Sequence, residues 1–449
     1  MRMKFNKSSQ LLLVSAASLL AAGLVTACGT LTTDFVYVTS NKAAGANNYG
    51  EIDVFEINQE SGFMRQIPTS PFPSGGRDPV AEAVSEDHFN LYVVNQDDNN
   101  IVQFVIGNDG KVYPQNTVNT PGIYPLAVAV SGTNLFIVDL YQPLPICSTA
   151  APCSGSIGVL PITIGTGNPA SDTLGSPVAN GSLTYWPLNV PCNAADVLAP
   201  TAINVVPSGK YVYVTGFDTT AAADDAAGTA NTCDTASVTS APTGYVFGFA
   251  VNSDGSLTAL AGSPFAVGAP QTIGGTLIVP HPSAITSDST SSYVYVADIS
   301  SANIHGYSVA HGYSVAGGAL TELASSPYAA GNQPSAIIAD PAYPYVYVAN
   351  SADSNVIAYS TSNGALTALG TYATGIQPVA IGIDPSTNHF LYTANYLDNG
   401  ISGTVSGFEL SPTAGTLINS QNSPYTSNAQ PTAVAAIPHG GSQSSSSSQ

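Results

Sequence analysis

The chain has 449 residues; only 8% are charged, and 28 acidic side chains against eight basic ones give a formal net charge of −20. Such a surface repels polyanions, which argues against nucleic acid as a partner, and it offers few Arg or Lys clamps to a phosphorylated substrate. Low charge combined with 23 tyrosines does not suit a disordered chain.

Residues 1–27 read as an export signal outside the fold. Arg2, Lys4 and Lys7 form a positive start, and Leu11 to Leu24 is an apolar run too short for an ordinary membrane-spanning helix. The run ends in Val25-Thr26-Ala27-Cys28, small residues before a cysteine, which resembles a bacterial lipobox. Cys28 is therefore the expected lipidation site, residues 28–34 the tether, and the extracytoplasmic side of a membrane, periplasm or cell surface, the expected location. A plain secretory cleavage site is the alternative. Loss of residues 1–27 leaves five basic side chains against 28 acidic ones, a formal net charge of −23.

Residues 35–438 carry an internal repeat, which decides the fold class. Pro-x-Ala opens a short apolar run at Pro79, Pro125, Pro200, Pro282, Pro334, Pro378 and Pro431. An aromatic strand ending in a small or Asx residue starts at Tyr37, Tyr92, Phe136, Tyr213, Tyr295, Tyr347 and Tyr392. The two markers keep a nearly constant separation, and a further strand, a Gly or Asn turn and a short fourth strand follow each pair. β-Branched and aromatic alternation between such turns favours strands. Four strands, A to D, in about 45 residues make a propeller blade. The expectation is an all-β, seven-bladed β-propeller with four antiparallel strands per blade. The C-terminal strand A from Pro431 to Ile437 is expected to join the N-terminal strands and close the ring, which removes a free sheet edge. Residues 439–449 form a Gly/Ser/Gln tail expected to be disordered.

The repeats, above all Tyr345-Val-Tyr-Val-Ala-Asn350, Ser326-Pro-Tyr328, Gly331-Asn-Gln-Pro334 and Asp384-Pro385, resemble those of the YVTN-repeat propellers of the lactonase family. That family includes 6-phosphogluconolactonase and carboxymuconate-cyclase-like members. The resemblance covers Phe35 to Ile437 and implies a lactonase as the enzyme type, if the chain is an enzyme. It is specific for the blade rather than for a reaction.

The B–C and D–A loops share one face and hold the long insertions, residues 41–49, 140–156, 180–199, 217–243 and 268–281, where binding is expected. Cys147, Cys153, Cys192 and Cys233 lie in them, and the expected disulfides of the exported chain are Cys147–Cys153 and Cys192–Cys233. The residue before each Pro-x-Ala is expected to ring the channel on that face. The ring is Asp78, Tyr124, Ala199, His281, Gln333, Gln377 and Gln430. Tyr124, His281, Gln333, Gln377 and Gln430 can hold a neutral polyol or lactone. Polar residues lining a water-filled channel are the simpler reading.

His281-Pro282-Ser283 resembles a His-Pro segment at the same blade position in lactonase-type propellers, which implies a base toward a lactone carbonyl or a ligand for an ion; a solvated hydrogen-bonding histidine is the simpler reading. Glu82, inside the first strand A, can be an acid or base of raised pKa, or simply face channel water. Arg77 can polarise a carbonyl or pair with Asp78. Asn95, Asp139, Asp298, Asn350 and Asn395 read as caps of the turn after strand B. No metal-ligand spacing, nucleophile elbow or phosphate loop occurs, so neither a metal nor a cofactor is expected. The tandem hexapeptide from His305 to Ala316 reads as a duplication that lengthens one C–D hairpin. A glycan, a small polar ligand, a lactone or an envelope protein is the expected partner of a monomer whose membrane contact is its lipid anchor alone.

Overall fold

The computed structural model describes residues 33–437, apart from 45–46, 59–60, 168–170, 190–195, 220–243, 269–270, 274–275, 300–302, 310–316, 385–389, 399–401 and 428. The expected signal, lipidation site, tether, tail and tandem hexapeptide, together with Cys192 and Cys233, fall wholly or largely outside the described residues. Every regular element among those residues is a strand, and none is a helix. The fold is an all-β propeller.

Among the described residues the strands form seven antiparallel sheets and one two-stranded hairpin, Gln271–Ile273 with Thr276–Ile278. Sheet one runs from strand A, Pro431–Ile437, through B, Thr33–Ala44, to C, Tyr49–Asn58, and a split D, Met64–Gln66 and Phe72–Pro73. The strands A, B and C of sheet two are Pro79–Val84, Asn90–Asn95 and Asn100–Ile106; of sheet three, Ile123–Ser131, Asn134–Tyr141 and Ser156–Thr163. Those of sheet four are Leu198–Val205, Tyr211–Asp218 and Gly244–Val251; of sheet five, Pro282–Ser287, Tyr293–Asp298 and Asn303–Val309. Sheet six has Pro334–Ala339, Tyr345–Asn350 and Asn355–Ser362, and sheet seven has Ile376–Ile383, Phe390–Asp398 and Ser402–Leu410.

The repeated residues have separate tasks. In each Pro-x-Ala the register with strand B slips between the proline and the alanine, so the middle residue forms a β-bulge. Where that residue is Ser or Thr, its hydroxyl can reach the next sheet. Ser283 donates to the Pro334 carbonyl at 2.6 Å, Ser335 to Pro378 at 2.6 Å and Thr432 to Pro79 at 2.8 Å.

The tyrosine of strand B is fully buried and crosses to the following sheet. Tyr37, Tyr213, Tyr295 and Tyr347 donate their hydroxyls to the carbonyls of Gly110, Gly318, Gly364 and Gly415 at 2.6–3.2 Å. Each of these glycines has a left-handed φ, and a Cβ on it would collide with the aromatic ring two residues before the tyrosine: Phe35, Tyr211, Tyr293 or Tyr345. An aromatic-x-Tyr strand thus stacks one ring on the glycine of the neighbouring turn and bonds that glycine's carbonyl with the next.

A third recurring motif splits strand D. Ser-Pro-Phe or Ser-Pro-Tyr at Ser70, Ser263 and Ser423 breaks the ladder, and the serine hydroxyl accepts the strand-C amide of Val54, Gly248 or Gly407 at 2.9–3.0 Å. The serine stands in for the carbonyl that the broken strand withdraws.

Candidate binding face and channel mouth

Strand A of each sheet begins at its proline, so the preceding residue stands where the D–A loop enters the inner strand. The backbone there is clamped. The carbonyls of Asp78, His281, Gln333 and Gln430 accept the amides of Gln96, Ile299, Ser351 and Asn41 at 2.8–3.2 Å. Each donor immediately follows the Asx or Ser of strand B that pairs with the proline of strand A. Asp78, Tyr124, Gln333 and Gln377 also adopt left-handed φ values of 51° to 58°, although none is glycine. Non-glycine residues held this way cost of order 1 kcal/mol or more each and concentrate at ligand sites. Gln333 is exposed, and Tyr124, His281, Gln377 and Gln430 are half-buried. No hydrogen bond joins any two of these five side chains among the described residues, so the structure repeats the position without assembling a preformed polar network.

His281 is the most constrained of the group. Its ring lies against Phe217 with centroids 3.6 Å apart, and its amide donates to Asp298 Oδ1 at 3.0 Å. Burial lowers the imidazole pKa and the Asp298 charge opposes that shift, so the ring favours its neutral form. A neutral imidazole is the form that can accept a proton.

Arg77 does not pair with Asp78. Its Nε and Nη2 meet Asp98 Oδ1 at 2.7 Å and 2.6 Å, and its amide donates to Asp98 Oδ2 at 2.8 Å. Asp98 belongs to the B–C loop of the same sheet, where both its oxygens are used, and the arginine pins the D–A loop to that loop. Burial instead raises the pKa of Asp78, helped by the Asp97 charge.

Glu82 occupies the third position after the proline. The six other copies carry Val128, Ile203, Ile285, Ile337, Ile381 and Val434 there. Ile285, Ile337 and Val434 each belong to a core cluster shared with the preceding sheet. Glu82 is half-buried as a residue, but both carboxylate oxygens are shut off from solvent, and among the described residues neither has a hydrogen bond of ordinary geometry. Desolvation pushes its pKa up to about 8, opposed by the Ala435 amide and Thr39 of sheet one. It therefore sits at the boundary of sheets one and two as a neutral acid near neutral pH.

The Asx residues after strand B act differently from the expected local turn caps. Asp139 Oδ2 accepts the Gly122 amide at 2.9 Å, Asn350 Oδ1 accepts Gly331 at 3.0 Å, and Asp298 accepts His281 as above. These donors lie in the D–A loop, so the side chains tie that loop to strand B. Asn95 and Asn350 also donate to Asn100 and Asn355 on strand C at 3.0 Å and 2.9 Å. The bulge hydroxyls and the Ser-Pro serines were legible as recurrences: Thr201, Ser283, Ser335 and Thr432 fill one position of Pro-x-Ala.

On the same face, Cys147 and Cys153 form the expected disulfide, with Cα atoms 5.4 Å apart, in the B–C loop of sheet three. It holds an apolar tip in which Ile146 is 74% exposed.

These features define a repeat propeller with a decorated loop face. Residues 295–439 match the family model described as lactonase, 7-bladed beta-propeller. Among solved structures, a proposed 6-phosphogluconolactonase from Bacteroides fragilis is 18% identical and covers 91% of this chain and 99% of its own, with a TM-score of 0.63. The periplasmic gluconolactonase of Pseudomonas aeruginosa is 16% identical over 90% of this chain and 99% of its own, with a TM-score of 0.62. At such identities the structural likeness shows the fold. No curated protein matches the chain by sequence. The family match is confined to residues 295–439, about a third of the chain, and for the rest the likeness is one of fold.

Proposed function

We propose that the seven sheets are the blades of one ring, closed by strand A at Pro431–Ile437, and that the ring presents a ligand site at its channel mouth. Supporting closure, Pro431–Ile437 pairs with Thr33–Ala44 and packs against both Ile376–Ile383 and Pro79–Val84. Thr432 also donates to Pro79 across the same boundary.

The site reading rests on one observation: the left-handed, polar residues that recur directly before the prolines at Asp78, Tyr124, Gln333 and Gln377. With His281 and Gln430 they offer mostly uncharged donors and acceptors, which suit hydroxyls and lactone oxygens better than phosphate. The protein is read as a cell-envelope lipoprotein anchored through Cys28, binding a glycan, a small polar ligand or a protein on its looped face. The second reading, favoured by the neutral imidazole of His281, is hydrolysis of a non-phosphorylated lactone. The gluconolactonase of Pseudomonas aeruginosa has this fold and is described as periplasmic.

The test is titration of the signal-less protein with lactones and oligosaccharides, reading hydrolysis and thermal shift together. Under the enzyme reading His281→Ala lowers turnover by roughly 10²-fold or more. Under the binding reading the same change weakens affinity modestly, with no turnover to lose. If His281→Ala and Gln377→Ala leave both readouts unchanged, the channel mouth is a wet pore. The anchor is tested separately: wild type takes up labelled fatty acid and Cys28→Ser does not, and equal labelling would end the lipoprotein reading.

A further inference from the structure

Strands A and C run away from the looped face and strands B and D run back toward it. The A–B and C–D turns therefore gather on the opposite face. Thr33–Ala44 is a strand B, so it starts at that turn face. Its register fixes the height of each end. Thr33 pairs with Asn58, where the C–D turn of sheet one begins. Ser40 pairs with Pro431, where strand A enters from the looped face. The seven residue steps from Thr33 to Ser40 rise roughly 23 Å at about 3.3 Å each.

Cys28 precedes Thr33 by five residues. Fully extended, that length of chain spans at most about 18 Å. A lipid on Cys28 therefore cannot bring the bilayer surface up the flank of the sheet to the looped face. Among the described residues Ile146 is the most exposed large apolar side chain, and it tips the disulfide loop. It stands on the looped face, beyond the reach of that bilayer. On the turn face, Phe63 closes the turn that begins opposite Thr33. Its carbonyl accepts the Asn58 amide at 2.9 Å, and it is 36% exposed. The net negative charge gains nothing from anionic headgroups, so the tether rather than charge decides which face meets lipid.

We propose that the anchored propeller stands with its A–B and C–D turns toward the bilayer and its looped face turned to the aqueous compartment. The partner of the turn face is a lipid headgroup layer, met first at the C–D turn of sheet one with Phe63. This rests on reading Cys28 as the lipidation site. Two consequences follow for the looped face. The channel mouth opens away from the membrane, so its ligand arrives dissolved rather than from within the bilayer. The Ile146 tip is left to partners in the same compartment.

The test uses the lipidated full chain in phosphatidylcholine vesicles that carry a rhodamine-labelled lipid. An azide-bearing phenylalanine replaces one exposed residue at a time and is coupled to a fluorescent donor. Ser253 and Thr413 report the turn face, from the C–D turns of sheets four and seven. Ala150 and Ala352 report the looped face, from the B–C loops of sheets three and six. Energy transfer to the lipid acceptor is expected to be roughly threefold or more stronger from the turn sites, because a strand's length separates the two faces. Two sites per face keep the comparison intact if one variant fails to fold. Equal transfer from both faces, or stronger transfer from the loops, would overturn the orientation while leaving the anchor in place. Failure of the wild type to take up labelled fatty acid would overturn the anchor, and the orientation with it.

Discussion

Replacing Glu82 by glutamine should stabilise the protein, and the gain should grow with pH. The folded-state pKa is about 8, against about 4.5 in the unfolded chain. Between these values the folded state holds a proton that the unfolded state has released, so wild-type stability falls as pH rises through the window. Below pH 4.5 both states are protonated and the carboxyl contributes no pH dependence. At 1.36 kcal/mol per unit, the 2.5 units between 4.5 and 7 correspond to roughly 3 kcal/mol at neutral pH. At pH 5 the same linkage leaves under about 1 kcal/mol. Urea unfolding of wild type and Glu82→Gln at pH 5, 6, 7 and 8 measures the difference directly, because the other titrating groups cancel. A gain of roughly 2–3 kcal/mol between pH 5 and 7 is the expected slope. Glu82→Ile, the residue at this position in four other copies, should be at least as stable. A pH-independent difference, or a loss of stability for glutamine at pH 7, would show that Glu82 is charged in the fold and that its desolvation has been misread.

Two further outcomes test the packing. Tyr347→Phe removes the hydroxyl that bonds the Gly415 carbonyl and should cost about 1–2 kcal/mol in denaturant unfolding. Gly415→Ala should cost at least as much, since its φ is +67° and the added Cβ meets Tyr345. Cys147→Ser should leave the melting midpoint nearly unchanged but speed protease cleavage between residues 142 and 153. The bridge spans six positions of a surface loop, and its chain-entropy contribution of roughly 2 kcal/mol is local. Unchanged cleavage would mean that the loop's own backbone bonds hold it.

The repeat made the architecture legible before any coordinates, because a blade cannot hide its period. Seven Pro-x-Ala segments and seven aromatic strands recur in a fixed order, and a four-strand sheet is the unit that uses them. The Cys147–Cys153 bridge was legible for a similar reason: two cysteines so close in one loop have few other partners. The distance between Arg77 and Asp98, 21 positions along the chain, was not legible, because the meeting of the D–A and B–C loops depends on how strand A lies beside strand B. The Asx residues misled local reasoning in the same way: their acceptors serve amides 17 to 19 positions away, which only the paired strands bring within reach. Glu82 stood out in sequence as a carboxylate in an apolar run. Only the packing of sheet one against sheet two shows that its oxygens are shut away from solvent, with the Ala435 amide and Thr39 too weakly placed to offset the burial, and desolvation rather than residue type sets its charge.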